Sequence, residues 1–250
     1  MKKTILLAVA CAAALTTAAA PAQAAPTQAG PAQAAPKDPV AALKAKLAPG
    51  RGVHFTDTVT WSDGTNSQGT RDSKGSFQFG EKGVVGFDFS WKYGDEQRRT
   101  IAIGKTAYHS GGVYARLMPE GKTWFKRAGG GMPDSWAQFI NPAEPKTLAK
   151  LIGNGSTKGR SVTGTITVKE LRKVSDWVAR AGIRKEDHGV KVDYTLTLAA
   201  SGLVSRVQST YAIKVEGEPN IVTVDSRYTG WGGKVSIKAP APGTVTTSFR

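Results

Sequence analysis

Apolar and polar residues alternate along most of this 250-residue chain, and the alternation predicts strands rather than long helices. In the segment Val53–Trp61, four large apolar side chains share one side, whereas His54 and three threonines share the other. The segment Val190–Leu198 alternates in the same way, with Lys191 among the residues on its polar side. Both segments are predicted to be strands that bury one face and expose the other.

The stretch Ile101–Ala128 predicts three short strands in succession. They cover Ile101–Tyr108, Val113–Leu117 and Thr123–Lys126, and turns containing glycine or proline separate them. Short runs of aromatic and β-branched residues between such turns are typical of an antiparallel meander. Strands of this length are not stable alone, so the meander must belong to a larger sheet.

Further strands are predicted on both sides of this stretch. A hairpin around Glu81-Lys82-Gly83 joins Ser76–Gly80 to Val84–Tyr93 and carries six aromatic residues. Ser62–Gly69 reads as a polar turn, and Glu96–Arg99 as an exposed charged rim. The remaining predicted strands are Ser161–Val168, Leu203–Val215, Ile221–Tyr228 and Lys234–Ile237.

Four helical segments are predicted between the strands. The first has Asp38 as its N-cap and Pro39 at its first position, and its apolar residues share one face. The others are Pro133–Ile140, Glu144–Ile152 and Lys169–Ala181, the last with Gly182 as its C-cap residue. Helices on one face of an antiparallel sheet predict an α+β fold.

The N-terminal residues predict export from the cell. Lys2 and Lys3 precede the apolar run Thr4–Ala20, and Ala22-Gln23-Ala24 supplies a small-x-small cleavage site. Residues 1–24 are therefore predicted to be a secretory signal peptide. Residues 25–36 form a flexible Pro/Ala linker, and residues 37–250 form a single domain.

The single cysteine, Cys11, leaves a second interpretation of the N-terminus open. Ala8-Val9-Ala10-Cys11 loosely resembles a lipobox, in which a lipid is attached to the cysteine. The apolar run continues past Cys11, which favours the cleaved signal peptide over the lipid anchor. A mature chain without cysteine has no disulfide and no thiolate metal site.

Composition and motifs favour a binding protein over an enzyme. The net charge of +15 would attract anionic lipid headgroups, wall polyanions or nucleic acid, but the charges are dispersed, so nucleic acid is not expected. His54, His109 and His188 are far apart in the sequence, and each is predicted to be a solvated surface residue. The sequence shows no catalytic constellation, cofactor motif or metal-ligand spacing, so no enzyme, cofactor or metal is predicted.

The order of elements resembles the LolA-like half-barrel proteins, and among them actinobacterial secreted proteins and lipoproteins of the LppX/LprG type. The local cues are Gly104-x-x-x-Tyr108, Leu117-Met118-Pro119-x-Gly121-Lys122-x-Trp124 and Gly202-Leu203-Val204-x-Arg206. The resemblance covers roughly Asp38 to Pro240.

This resemblance implies a curved antiparallel sheet, or half-barrel, whose concave face is covered by short helices. The space between them would be an apolar cavity for the acyl chains of a lipid or lipidated molecule. An anionic membrane surface is a second expected partner, and a monomer is expected. The residues expected to line the cavity are Phe55, Phe79, Phe87, Phe89, Ile103, Trp124, Trp136, Phe139, Leu148, Leu151 and Trp177.

Three other functions remain open from the sequence. The same aromatic residues would fill a solid core in a protein-interaction or sensory domain, since packed cores and lined cavities use the same residue types. A wall-polyanion or nucleic-acid binder would need cations gathered on one face, for which Arg98-Arg99 and Arg180–Lys185 are candidates. An enzyme is the fourth hypothesis.

Overall fold

A computed structural model describes residues 38–128, 137–215 and 217–250, and in these ranges twelve strands form one sheet. The order is β12-β6-β5-β4-β3-β2-β1-β11-β10-β9-β8-β7, so two meanders meet at the β1–β11 pair. All neighbouring strands are antiparallel except β12 and β6, which are parallel. The strands are β1 (Arg51–Ser62), β2 (Ser67–Phe79), β3 (Val84–Tyr93), β4 (Glu96–Ile103), β5 (Thr106–Gly111), β6 (Trp124–Ala128), β7 (Ser156–Lys158), β8 (Ser161–Thr167), β9 (Lys191–Leu198), β10 (Val204–Val215), β11 (Glu218–Lys234) and β12 (Val245–Thr246).

One face of the sheet, which we call the buried face, carries the aromatic side chains of β1, β2 and β3. Phe55 stacks on Phe77 with ring centroids 4.9 Å apart, and Phe87 lies opposite Phe77 in the β2–β3 register. Gly75 makes room for this packing, because a Cβ atom there would lie 2.4 Å from the Phe55 ring. The alternation predicted for Val53–Trp61 therefore places its apolar side chains in the core, as expected.

Short helices contribute to the same core. Trp177 meets Phe77 and Phe87 edge to face, at 5.5 and 5.0 Å, and the Tyr194 hydroxyl donates to the Leu151 carbonyl at 2.7 Å.

A large open antiparallel sheet with few short helices confirms the coarse α+β prediction. No helix in the described ranges is long and apolar enough to cross a membrane. The helices are α1 (Pro39–Lys44), α2 (Gly112–Leu117), α3 (Pro145–Asn154), α4 (Val168–Val174) and α5 (Asp176–Ala179).

The segment predicted as a strand over Val113–Leu117 is the helix α2. Gly111 and Gly112 have φ values of +81° and +59°, which residues other than glycine rarely adopt. These two glycines turn the chain out of β5. A Cβ atom at Gly111 would also lie 1.8 Å from the Gln97 carbonyl oxygen. The run after these glycines is short and fits either a helix or a strand period, so the sequence pattern alone gave the wrong element.

The helix predicted over Lys169–Ala181 is broken into α4 and α5. Ser175 caps α5, because its Oγ accepts from the Val178 amide at 3.1 Å, and Gly182 lies beyond the end of α5.

Within the segment predicted to be helical over Pro133–Ile140, residues 133–136 lie outside the described ranges and residues 137–140 are not helical. The helix predicted over Glu144–Ile152 is confirmed as α3, and the Asp38 cap with Pro39 at the start of α1 is confirmed too.

Three boundaries differ from the sequence predictions, two of them because polar residues carry no hydrophobic signal. Ser67–Ser73, predicted in part as turn, belongs to β2, and Glu96–Arg99 belongs to β4 rather than to an exposed rim. Side chains on the exposed face support the pairing of β1 with this part of β2, since the Thr58 hydroxyl donates to Asp72 at 2.8 Å. Lys234 ends β11, so the predicted strand Lys234–Ile237 does not form.

Candidate functional site

A cavity of about 780 Å³ opens between α1, the β2–β3 turn and the starts of α3 and α5. This volume lies in the range of ligand-binding pockets. Its apolar walls come from Leu47, Val84, Val85, Pro145 and Val174. Charged and polar groups complete the lining, namely Lys44, Glu81, Lys82, Lys146, Arg172, Lys173, Glu144, Ser175 and Asp176.

A second cavity of about 290 Å³ lies beside the first one. The two cavities share Val84, Val85, Glu144 and Asp176 in their walls. Beyond these residues the smaller cavity is lined by Gly86, Phe87, Ala102, Gly104, Asn141 and Trp177 and by the cations Lys105 and Arg180. We call the two cavities together the groove. Cations line both cavities, and Phe87 and Trp177 line the smaller one.

Local sequence signals place the groove walls. The Asp38 side chain accepts from the Val40 and Ala41 amides and begins α1, whose Leu43 is buried in the core. The Gly80 amide donates to the Gly83 carbonyl at 2.8 Å and closes the turn between β2 and β3. These two elements hold Leu47 and Val84 on the cavity wall.

Glu144 joins the start of α3 to the junction between α4 and α5. Its carboxylate accepts from Ser175 Oγ at 2.5 Å, from the Trp177 amide at 2.9 Å and from Thr147 Oγ1 at 3.0 Å. Burial raises the pKa of the Glu144 carboxyl, and the hydrogen bonds from Ser175 and Trp177 oppose this rise without cancelling it. Glu144 therefore holds α3 against the α4–α5 junction and places a titratable carboxyl at the groove wall.

The raised pKa of Glu144 predicts a pH-dependent contribution to stability. Between its pKa in the unfolded chain and its higher pKa in the folded chain, the folded state retains a proton that the unfolded state has lost. The contribution is therefore full at low pH and is lost as pH rises through the folded-state pKa. We expect Glu144→Gln to remove this contribution. The slope of the free energy of unfolding against pH, measured by urea titration from pH 4 to 7, should therefore be more positive in Glu144→Gln than in the wild type.

Glu170 supplies a control of opposite sign in the neighbouring helix. Hydrogen bonds from the Thr167 amide and hydroxyl lower the pKa of Glu170, so its contribution is present at neutral pH and lost as pH falls. Glu170→Gln should change the pH slope in the opposite direction to Glu144→Gln. Slopes that change in the same direction would contradict the account of Glu144.

The structure gathers most of the residues predicted to line a cavity into one aromatic and aliphatic core. Phe87 and Trp177 also line the groove. Phe139 is half-buried and packs on Tyr211, with ring centroids 4.8 Å apart, and Trp136 lies outside the described residues. The predicted residues buried in the core are Phe55, Phe79, Phe87, Phe89, Leu148, Leu151 and Trp177.

Two of the predicted lining residues lie on the exposed face instead. Ile103 is 37% exposed, and its neighbour Ala102 is the residue that points into the core. Trp124 lies under the guanidinium of Arg99, whose Nε and Nη2 atoms bond Asp88 on the exposed face at 2.8 and 2.5 Å. Ile103 was assigned to the wrong side because Ile101, Ala102 and Ile103 are all apolar, so the sequence shows no alternation there. In the β3–β4 register Ala102 lies opposite the core residue Phe87, which turns Ile103 to the other face.

The cations of the groove were not found by sequence reasoning. Lys44, Lys82, Lys146 and Lys173 belong to four different elements, and the fold brings them to one cavity. Each stands in a separate part of the sequence, so no local charge run announces them. Only the strand order and the helix positions could have grouped them.

A polar cluster on the buried face was also overlooked. Asp57 is 1% exposed and accepts from Ser73 Oγ at 3.2 Å. Burial lowers the pKa of the Arg71 guanidinium, and the negative charge of Asp57 opposes that change. Arg71 also lies between the rings of Trp61 and Trp91, at 5.0 and 4.7 Å. The signal was present, since Asp57 shares the odd-numbered side of Val53–Trp61 with the apolar residues.

The three histidines lie in separate elements, since His54 is in β1, His109 is in β5 and His188 lies between α5 and β9. His54 bonds Ser76 on the exposed face at 2.7 Å. His109, which was expected to be solvated, is only 5% exposed, lies 3.3 Å from Thr100 Oγ1 and stacks on Tyr114. His109 is buried because it alternates with Ala107 on the inward side of β5. The described residues contain no group of three or more side chains that could hold a metal ion.

Comparisons with known proteins give only distant structural likenesses. No family model and no curated protein matches the chain. A LolA superfamily protein from Nitrosomonas europaea is 7% identical, covering 76% of this chain and 90% of its own, with a TM-score of 0.34. A porin-like protein from Bacteroides uniformis is 10% identical, with coverage of 74% and 98% and a TM-score of 0.27. A DUF1329 family protein from Desulfovibrio piger is 9% identical, with coverage of 77% and 92% and a TM-score of 0.16.

These TM-scores are too low to carry an argument about fold or function. The resemblance to LolA-like proteins, and within them to the LppX/LprG type, therefore stays a prediction from the sequence.

Proposed function

We propose that the protein is an exported, non-catalytic carrier that binds an anionic lipid or lipidated molecule in the groove. The acyl chain lies against Val84, Val85 and Phe87, and the head group meets the cations at the opening. The proposal includes the half-barrel curvature implied by the family resemblance, with the helices over the concave face. It also includes export through the signal peptide of residues 1–24.

The observation that supports this function best is the lining of the 780 Å³ cavity. Five apolar residues stand beside five cations, and three carboxylates, one of which is the half-buried Glu144, offset the positive charge only in part. An acyl chain gains about 0.8 kcal/mol for each CH₂ group that leaves water, so a chain buried over part of its length supplies useful affinity. Cations at the opening add preference for a phosphate or carboxylate head group.

A second candidate function is supported by the packing of the predicted cavity residues. Phe55, Phe77 and Trp177 contact one another directly rather than surrounding a space. A solid aromatic core under the sheet fits a protein-interaction or sensory domain that uses the fold as a scaffold. In that case the groove would take up no lipid.

Binding of a fluorescent fatty acid, cis-parinaric acid, tests the proposal. We expect saturable binding by the wild type, and displacement by oleate at lower concentration than by oleylamine, because the opening favours a negative head group. Reversing two cations in Lys146→Glu/Lys173→Glu should weaken binding about tenfold, since each exposed ion pair contributes up to ~1 kcal/mol. Val84→Asp should weaken it by at least as much.

The matched control is Lys74→Glu/Lys191→Glu, which makes the same change in net charge at exposed strand positions away from the groove. This control should bind the fatty acid as the wild type does. An absence of binding by the wild type would favour the interaction-domain function, and equal weakening in both double variants would refute a head-group site at the groove.

A further inference from the structure

Three exposed apolar side chains lie in segments at the end of the sheet formed by β12 and β6, away from the groove. Val113 and Leu117 are 41% and 40% exposed, and Phe249 is 43% exposed. Val113 and Leu117 are four residues apart in α2, so they project from the same side of that helix. Together these residues are three of the five large apolar side chains that are exposed in the part of the chain described. We call them the apolar edge.

The chain holds this edge in a fixed arrangement. The Arg250 amide donates to the Leu117 carbonyl at 3.0 Å, and the Arg250 guanidinium donates to the Arg116 carbonyl at 3.3 Å. Phe249 stacks on Phe125 at 4.2 Å, and Phe125 stacks on Tyr114 at 5.7 Å. These contacts join α2, β6 and the C-terminal segment, so the exposed side chains belong to one ordered surface.

The segments that carry the apolar edge are rich in positive charge. The segments 112–128 and 241–250 contain the cations Arg116, Lys122, Lys126, Arg127 and Arg250 and a single carboxylate side chain, Glu120. Lys122 is fixed by donating to the Gly243 carbonyl at 2.8 Å, which keeps its charge beside the C-terminal segment. Apolar side chains bordered by cations are typical of surfaces that enter the headgroup region of a bilayer.

We infer that the apolar edge is a membrane-docking surface for a bilayer containing anionic lipid. Val113, Leu117 and Phe249 enter the boundary between headgroups and acyl chains, while Arg116 and Arg127 contact the negative headgroups. Arg127 projects from the same face of β6 as Phe125, on which Phe249 stacks. A bilayer of this kind offers in one place both features that the edge requires, an apolar layer and a negative surface. The inference is independent of the proposed function, because none of these residues lines the groove.

Sedimentation with vesicles tests this surface. We expect the wild type to bind vesicles of phosphatidylcholine with 30% phosphatidylglycerol, and to bind them less well as NaCl rises from 50 to 300 mM. Arg116→Gln/Arg127→Gln should weaken binding about 25-fold, or about fivefold for each charge removed. Val113→Asn/Leu117→Asn should weaken it about tenfold or more while leaving the salt dependence in place.

Ile103→Asn is the matched apolar control, because Ile103 is similarly exposed at 37% but lies outside the edge. It should bind these vesicles as the wild type does, and circular dichroism should show that all variants are folded. Equal binding to pure phosphatidylcholine vesicles, or unchanged binding by both edge variants, would overturn the inference. Fatty-acid binding by the edge variants should match the wild type, which separates a failure of this surface from a failure of the groove.

Discussion

Replacing Trp177 by alanine is expected to lower the free energy of unfolding by about 3–5 kcal/mol. The indole is buried between Phe77 and Phe87, with centroid distances of 5.5 and 5.0 Å, and its Nε1 donates to the Gln138 carbonyl at 3.2 Å. The substitution removes these aromatic contacts, leaves a cavity between sheet and helices, and leaves the Gln138 carbonyl without this donor. Urea unfolding monitored by circular dichroism measures the loss.

Trp124→Ala is the control for this prediction. Trp124 is half-buried on the exposed face, and its described partner is the guanidinium of Arg99 at 5.8 Å. A cation–π contact at such a site contributes about 0.5–1 kcal/mol, so this variant should lose much less stability than Trp177→Ala. If the two tryptophan variants lost equal stability, Trp177 would not be the link between the helices and the sheet.

Asp57→Asn is the substitution with the second-largest expected effect. Asp57 is buried on the apolar side of β1, and its charge stabilises the partly buried guanidinium of Arg71. Asparagine keeps the size of the side chain and its bond from Ser73 but removes the negative charge. Breaking a buried charge pair costs about 3–5 kcal/mol, and because Arg71 keeps some contact with water we expect a loss of about 2–4 kcal/mol.

The matched control lies on the neighbouring strand. Asp72 accepts from Thr58 on the exposed face at 2.8 Å, and an asparagine there can still accept this bond. Asp72→Asn should therefore change the free energy of unfolding by less than about 0.5 kcal/mol, as exposed substitutions usually do. Urea titrations of both variants at pH 7 make the comparison. A loss in Asp57→Asn no larger than that in Asp72→Asn would contradict a charge pair in the core.

The strands were predictable where side chains alternate, and only there. Val53, Phe55 and Val59 identify the buried side of β1, because side chains two residues apart in a strand share one face. The same pattern contains Asp57, a carboxylate on the apolar side of the strand. Its position becomes informative only when Arg71 of the next strand is seen beside it.

The helix α2 and the groove depend on information that local patterns do not carry. The chain leaves β5 because Gly111 and Gly112 adopt positive φ, and the sequence shows two glycines without showing the direction of the turn. The groove exists because the fold brings α1, the β2–β3 turn and α3 together, with one lysine from each. Long-range packing decides both features, so periodicity and propensity could not predict them.

Native mass spectrometry of the protein after incubation with phosphatidylglycerol vesicles tests the carrier function most directly. The account predicts a complex with one lipid, lost in Val84→Asp and in Lys146→Glu/Lys173→Glu but retained in Lys74→Glu/Lys191→Glu. Denaturing the complex should release a lipid of the mass supplied. A wild-type protein that carries no lipid, or groove variants that carry it as well as the wild type does, would contradict the claim that the groove binds lipid.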